Sequence, residues 1–379
     1  MLLSSCSRAA GAMLSALPLL ALLSALPGAA AQGETCNTTT LCSSANPCCS
    51  PYGYCGSGAN FCFGGCDPLA SHSLTSCEPE PVCQNANISF NSFDRILMNQ
   101  SLYDGNASRW DFILNEGNIQ NTSAGELVML LTESNGGTRL SSTRYVHYGQ
   151  MTARLKTGRW GGVVTAFITM SDIKDEIDWE FPGNETSQGQ TNYFWQGVIP
   201  AQTAGQTTGN LTDTFSNYHD YTIDWQPDQL QWLVDGNVVR TLLRSSVTDN
   251  STGVSRYPNT PSRIELSIWP AGISSEPQGT VEWAGGYINW NDSDYKSAGH
   301  FYAYVDSVSI TCNDPTPASS NVTSYVYGSN STGNTPSISF SNKSTIVTTG
   351  AAAPATGSPR SAWAIFAGVL GAVALVGAF

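Results

Sequence analysis

The chain has 379 residues, only 12% of them charged, and its 29 acids against 16 Lys and Arg give a formal net charge of -13. That balance argues against a nucleic-acid partner, which needs a basic face, and suits neutral carbohydrate or a cell exterior. Eleven cysteines point to disulfides in an oxidising compartment, while four scattered histidines (His72, His147, His219, His300) form no ligand pair, so no metal or other cofactor is expected.

Residues 1–31 carry Arg8, an apolar run and the small residues Ala29-Ala30-Ala31, the pattern of a secretory signal peptide cleaved near Ala31. Cys6 leaves with it, and the ten cysteines that remain are an even number. Asn-X-Ser/Thr sequons recur, including Asn37, Asn106, Asn184, Asn250 and Asn321, and mark surface positions on the secretory route.

Residues 32–78 hold eight of the ten cysteines, between Cys36 and Cys77. A segment this short has little core, so disulfides must hold it. The stretch CEPEPVC then marks a boundary. From 84 to 312 alternating runs such as YHDYTIDWQ, QLQWLVDGNVVRTL and RIELSIW are separated by Gly, Asn, Asp and Pro. Asp235-Gly236-Asn237 between two β-rich runs predicts a hairpin. An all-β fold with one large sandwich or barrel is expected.

The most informative stretch is DEIDWE, Asp175 to Glu180, with four acids in six residues. In a strand Glu176, Asp178 and Glu180 share one face and Ile177 and Trp179 the other. The plain alternative is a charged strand that resists edge pairing, but three like charges side by side repel, and such a cost usually marks a site. At ~3.3 Å per residue the α-carbons of Glu176 and Glu180 lie ~13 Å apart. Glutamate side chains leaning together bring the carboxyls to about 5 to 6 Å, the separation of a retaining glycosidase, with nucleophile and acid/base flanking the bond. Asp178 between them can share a proton with either.

In RIELSIW, Arg263, Glu265, Ser267 and Trp269 share one face. That polar face ending in an indole suits a glycan groove, with Glu265 and Trp269 as sugar contacts.

KDEIDWEFPG followed by QTNYFWQG resembles the active-site strand and next strand of the fungal Crh-type cell-wall transglycosylases, a branch of glycoside hydrolase family sixteen. YHDYTIDW, WLVDGNVVR, LSIWPAG and GTVEWAGGYINW extend the resemblance over nearly all of 84–312. The resemblance implies a β-jelly-roll sandwich whose concave sheet binds a glycan, with Glu176 as nucleophile, Asp178 as helper and Glu180 as acid/base. It also implies chitin as donor and β-glucan or chitin as acceptor. By the same resemblance Thr280 and Trp283 belong to the acceptor end and Tyr193 and Gln196 to the donor side, although an aromatic residue in a β-sandwich is more often core than sugar platform. His219 is a further candidate, to bond the acidic strand. The sequon at Asn184, just past the acidic strand, puts a glycan near the cleft mouth.

CNTTTLCSSANPCCSPYGYCGSGANFCFGGC resembles a hevein-type chitin-binding module. The resemblance implies pairing of Cys36 with Cys49, Cys42 with Cys55, Cys48 with Cys62 and Cys66 with Cys77, where arithmetic alone leaves 105 pairings. It also implies sugar binding by Ser50, Tyr52, Tyr54 and Phe61, with weak affinity useful for tethering because Tyr and Phe stand where tryptophans are frequent. Cys83 and Cys312 are left to pair with each other.

Residues 313–349 are rich in Ser, Thr, Asn and Gly, with few large apolar residues. A disordered, O-glycosylated stalk is expected. Residues 350–379 then give small residues, a spacer and an apolar tail. With nothing basic after the tail, a removed glycolipid-anchor signal with attachment at Gly350 fits better than a transmembrane helix. The resulting expectation is a monomer held at the cell wall and outer membrane face by its anchor. A hydrolytic chitinase or endo-β-glucanase stays open as the rival enzyme. The rival of another class is a non-catalytic wall lectin, which has no need of three repelling carboxylates.

Overall fold

The computed structural model describes residues 33–314 and 321–347. The expected signal peptide, Gly350 and the anchor segment lie outside them. Two eight-stranded, largely antiparallel sheets pack face to face as a jelly-roll sandwich. One sheet runs, in spatial order, through Gln206–Thr208, Gly189–Phe194, Glu176–Pro182, Val163–Ser171, Ser262–Pro270, Thr138–Val146, Phe112–Glu116 and Ile96–Leu97. The other is built around Gly149–Lys156 and Phe301–Cys312.

Strand alternation builds the core. Ile177, Trp179 and Phe181 of the acidic strand meet Tyr221, Ile223 and Trp232 of the opposite sheet, all of them buried. Their polar handles are satisfied: the Trp179 indole donates to the Thr222 carbonyl at 3.1 Å and the Trp232 indole to the Asp178 carbonyl at 2.9 Å. Trp225 is likewise core, donating to the Pro258 carbonyl. The expected hairpin forms between Gln229–Val234 and Asn237–Leu243, with Val234 facing Asn237. Asp235 and Gly236 fill its two-residue turn at φ 50° and 78°, both positive as a type I′ turn requires.

Five disulfides join Cys36 to Cys49, Cys42 to Cys55, Cys48 to Cys62, Cys66 to Cys77 and Cys83 to Cys312. The last spans 229 residues, a closure that removes roughly 5 kcal/mol of unfolded-chain entropy. It fastens the start of the sandwich to its last strand.

Within the stretch 313–349, expected as a disordered stalk, the described residues 321–347 hold ordered structure instead. Ser324–Tyr327 and Ile338–Ser341 form a hairpin that adds to Glu80–Pro81 as a three-stranded sheet. The segment folds because Tyr325 and Tyr327 bury their rings, with Tyr325 stacked on Phe340, and because Glu80–Pro81 supplies a strand edge. The Tyr325 hydroxyl donates to Asp314 and accepts from the Cys83 N–H. Farther on, the Val347 N–H donates to the Asp104 carbonyl and the Thr345 hydroxyl to that of Gly105. A Ser/Thr-rich composition hid three well-placed aromatics.

Candidate active site

The acidic strand lies between Val163–Ser171 and Gly189–Phe194, in a register that lays the open face out in rows. Glu176 stands beside Met170 and Arg263, Asp178 beside Ile168 and Glu265, and Glu180 beside Ala166 and Ser267. The small and apolar residues between the acids and the Ser262–Pro270 strand make a smooth floor. Glu176, Glu180, Glu265 and Trp269 line one cavity above it.

Three carboxyls so placed cannot all ionise near neutral pH. Burial raises Glu176 well above the ordinary glutamate value, and Asp178, Glu180 and Glu265 push it further. Burial moves Asp178 up to about 7, against the pull of Glu176 and Arg240. Glu180 rises to about 8, through burial and then Asp178. Among the described residues the carboxyl of Asp178 has no hydrogen-bond partner other than Glu176, and two carboxyls can share such a bond only when one of them is protonated. Its coupling to Glu176 is therefore a close approach of two carboxyls that depends on a proton.

Asp175, the fourth acid, does different work. Fully buried, it accepts from the Gln196 and Asn259 N–H groups and from the N–H and hydroxyl of Thr260. It ties the loops before and after the cleft strands to the start of the acidic strand.

Glu265 lines the cavity, but its carboxylate is already engaged. Arg139 reaches it at 3.3 Å, the Ser141 hydroxyl donates to it at 2.8 Å and Arg263 lies at 3.6 Å. Burial alone would raise its pKa, yet Arg139 and Arg263 outweigh burial and hold it below the usual range. Glu265 is thus a fixed anion at the far side of the floor.

Trp269 is joined by Trp283, ring centroids 6.0 Å apart and stacked, and the Trp283 indole donates to Gln190, the strand neighbour of Glu180. Trp283 ends a six-residue helix, Gln278–Trp283, whose Thr280 is fully buried. Thr280 therefore stands behind the cleft wall rather than at its surface. The Asn184 side chain packs against Gly285, two residues past Trp283, so its sequon sits at this end.

Tyr193 lies opposite Ile177 and packs against the core, under Arg240. The cleft-face residues of its strand are Gln190, Asn192 and Phe194, beside Glu180, Asp178 and Glu176. Gln196 contributes its backbone N–H to Asp175 from a left-handed turn at φ 53°. His219 bonds Asp235 and Thr212 and not the acidic strand.

One residue near the acids escaped sequence reasoning. Arg240 donates to the carbonyls of Thr191 and Ala204 and lies over the Trp232 ring at 4.3 Å. It is the cation that acts on Asp178. Its signal was faint: the one buried side chain in a strand of exposed neighbours.

In the cysteine-rich module the Ser50 hydroxyl is buried and accepts from the Tyr54 N–H. Phe61 lies against Gly56 beside the disulfides. Tyr52 accepts a hydrogen bond from Arg139 at 2.9 Å, so it reaches the sandwich.

A sandwich with an acid-lined cleft can serve many sugars, and comparison with known proteins narrows the class. Residues 106–285 match the family described as Glycosyl hydrolases family 16, which makes the chain an enzyme of the glycosidase and transglycosylase type. Crh-like protein 3 of Botryotinia fuckeliana is 42% identical over 310 residues, covering 81% of this chain and 68% of that one. Crh-like protein 2 of Aspergillus fumigatus is 41% identical, covering 79% and 67%. Among solved structures, the Crh5 transglycosylase in complex with NAG superposes with a TM-score of 0.56 at 28% identity, covering 70% of this chain and 95% of that one. The chain belongs to the Crh-like proteins of glycosyl hydrolases family 16.

Proposed function

We propose that the protein is a cell-wall transglycosylase that cleaves chitin with retention and passes the chain to β-glucan or chitin. The observation that carries this reading is the row of Glu176, Asp178 and Glu180 on one strand face, with the two glutamates lining one cavity beside Trp269, on which Trp283 is stacked.

Glu180, the acid held protonated to about pH 8, gives its proton to the glycosidic oxygen as the bond breaks. The Glu176 carboxylate forms a bond to the anomeric carbon, and the leaving chain departs as an alcohol. Glu176 must first lose its own proton, and Asp178, whose carboxyl bonds that of Glu176, receives it. Exchange within such a pair costs far less than releasing the proton to water. In the second step an acceptor hydroxyl gives its proton to Glu180 and attacks the same carbon, which frees Glu176. Whether sugar or water attacks depends on how well the Trp269 and Trp283 surface seats an acceptor.

The cysteine-rich module binds chitin, the signal peptide directs the chain outward, and the anchor signal at Gly350 holds it at the membrane's outer face. These roles rest on the sequence patterns.

The test is incubation of the secreted protein with chitin oligomers and a labelled laminarin oligosaccharide. Labelled hybrid product supports the reading. Shortened chitin alone would mean hydrolysis, and no change in either would leave a lectin.

A further inference from the structure

The cysteine-rich module, the sandwich and the C-terminal hairpin meet at one junction. The Gly65 N–H donates to Asp172 at 2.7 Å in a buried bond, and Asp172 also accepts from the Tyr145 hydroxyl at 2.7 Å. Asp172 lies in the turn between Val163–Ser171 and the acidic strand. Gly64 lies against the Arg263 guanidinium, where an added Cβ would stand 2.5 Å from a nitrogen, and Tyr52 bonds Arg139 at a further point of contact. On the chain that leaves the module, Glu80 pairs with Tyr325 of the hairpin. A cavity of about 420 Å³ is lined by Leu74 and Cys77 of the module, by Glu80 and Asp172, and by Tyr325 and Tyr327 of the hairpin.

Glu80 and Asp172 are each 4% exposed, and the Glu80 carboxyl has no hydrogen-bond partner among the described residues other than Asp172. Two carboxyls can bond each other only through a proton that one of them keeps. The surrounding groups fix the charge of the pair. From the sandwich, Arg263 is the cation that acts on both acids, and it is shared with Glu265 of the cleft at 3.6 Å. From the module, Asp67 is a further buried acid, drawn on by Lys174. From the hairpin, the Tyr325 hydroxyl is committed to Asp314 and the Cys83 N–H, while the Tyr327 hydroxyl has no partner among the described residues. Glu78 and the exposed Lys343 line the cavity with one charge of each sign. With one proton, the pair and Arg263 are together neutral. Without it, the junction carries a net negative charge out of water.

We propose that the Glu80–Asp172 pair is a proton-dependent latch. With one proton between the two carboxyls, the module and the C-terminal hairpin are held on the sandwich; when solvent base removes it at alkaline pH, both come away while the sandwich stays folded. A buried charge without a partner is costly, and admitting water along the junction relieves that cost at the expense of a few local contacts. Pro51, Gly64 and Gly65 of the module line the cavity that holds Glu176 and Glu180, so release opens one wall of the cleft.

The direction follows from the same groups. Burial raises Glu80 well above 4.5, and Asp172 pushes it further against the pull of Arg263. Burial moves Asp172 up to about 6, against Arg263, the Tyr145 hydroxyl and the Gly65 N–H, with Asp67 adding to the rise. Both folded values exceed the unfolded ones of about 4. The stability that the proton contributes is therefore complete below that pH and is lost as pH rises through 6 and beyond.

The test is amide hydrogen exchange of the full secreted protein and its Glu80→Gln and Asp172→Asn variants, at pH 5 and pH 8.5, read over residues 63–71, 321–347 and 219–234. Either amide bonds the remaining carboxyl without a titrating proton, so each variant should keep the junction closed. At pH 8.5 wild type should exchange 63–71 and 321–347 at least fivefold faster than the variants, with a smaller difference over 219–234; at pH 5 all should agree within twofold. Matching exchange at pH 8.5, or a difference already present at pH 5, overturns the latch. So does an equal difference in all three segments, which would make the pair a general stabiliser, and so does one confined to the module or to the hairpin. If one variant fails to fold, the other carries the comparison. Wild-type exchange over 63–71 that is unchanged between the two pH values, once corrected for the intrinsic rise with pH, overturns the latch by itself. The readout is exchange and not turnover, so its failure leaves the transglycosylase reading standing.

Discussion

Replacing Glu180 with glutamine should make the protein more stable at alkaline pH while abolishing turnover. Glu180 is moved from 4.5 to about 8, first by burial and then by Asp178. The folded state therefore keeps a proton that the unfolded chain releases from about pH 4.5 upward. Wild-type stability falls as pH rises through that window, and the loss is complete once the folded group ionises too. At 1.36 kcal/mol per tenfold change the loss is at most about 5 kcal/mol. The three carboxyls titrate together, which divides that figure, so ~1–3 kcal/mol is expected for the single amide. For a domain of this size that is a rise of roughly 2–6 °C in Tm. Calorimetric scans of both proteins at one scan rate, at pH 4 and pH 8.5, measure it. The gain should appear at pH 8.5 and vanish at pH 4, where the carboxyl is protonated in both states. Equal gain at both values, or none at pH 8.5, would refute the reasoning that burial and Asp178 set the Glu180 proton.

Two further outcomes follow from other parts of the structure. Trp283→Ala removes half of the stacked pair beside Glu180, and a lost aromatic platform worth ~1–2 kcal/mol lowers kcat/KM about 5- to 30-fold; steady-state transfer assays check it, and an unchanged value removes the pair from the site. Tyr325→Ala empties a fully buried ring position in the C-terminal hairpin, costing about 3–5 kcal/mol. Limited proteolysis should then cut within residues 321–347 while transfer persists, and unchanged resistance would mean that Tyr325 does not hold the hairpin.

The sandwich and its acidic strand were legible because both rest on period-2 alternation, which sequence carries directly. Ile177 and Trp179 inward and three acids outward required no knowledge of neighbours. Tyr193 was placed on the donor side by resemblance, and that it shares the core face with Ile177 depends on the register of the next strand, which local sequence leaves open. Thr280 was placed at the acceptor end by resemblance alone, and its burial within the six-residue helix Gln278–Trp283 is a packing outcome that so short a segment does not signal. The hairpin at 324–341 was hidden by averaging: composition over the whole segment outweighed Tyr325, Tyr327 and Phe340, whose burial needs an edge supplied some 240 residues earlier. The docking of the module through Gly64, Gly65 and Tyr52 is likewise long-range. Arg139 read as one charge among few, yet it links Glu116, Glu265 and Tyr52 from three separate stretches of chain.

The central claim is that Glu176 becomes covalently bound to the donor sugar. A chitin oligosaccharide carrying an activated leaving group needs no acid for the first step, so Glu180→Gln should accumulate the intermediate. Intact-mass measurement followed by peptide mapping of the quenched protein should find one glycosyl adduct, on the peptide containing Glu176. A Glu176→Gln, Glu180→Gln double variant should show none. An adduct on another residue, or product of inverted anomeric configuration with no adduct, would contradict the account.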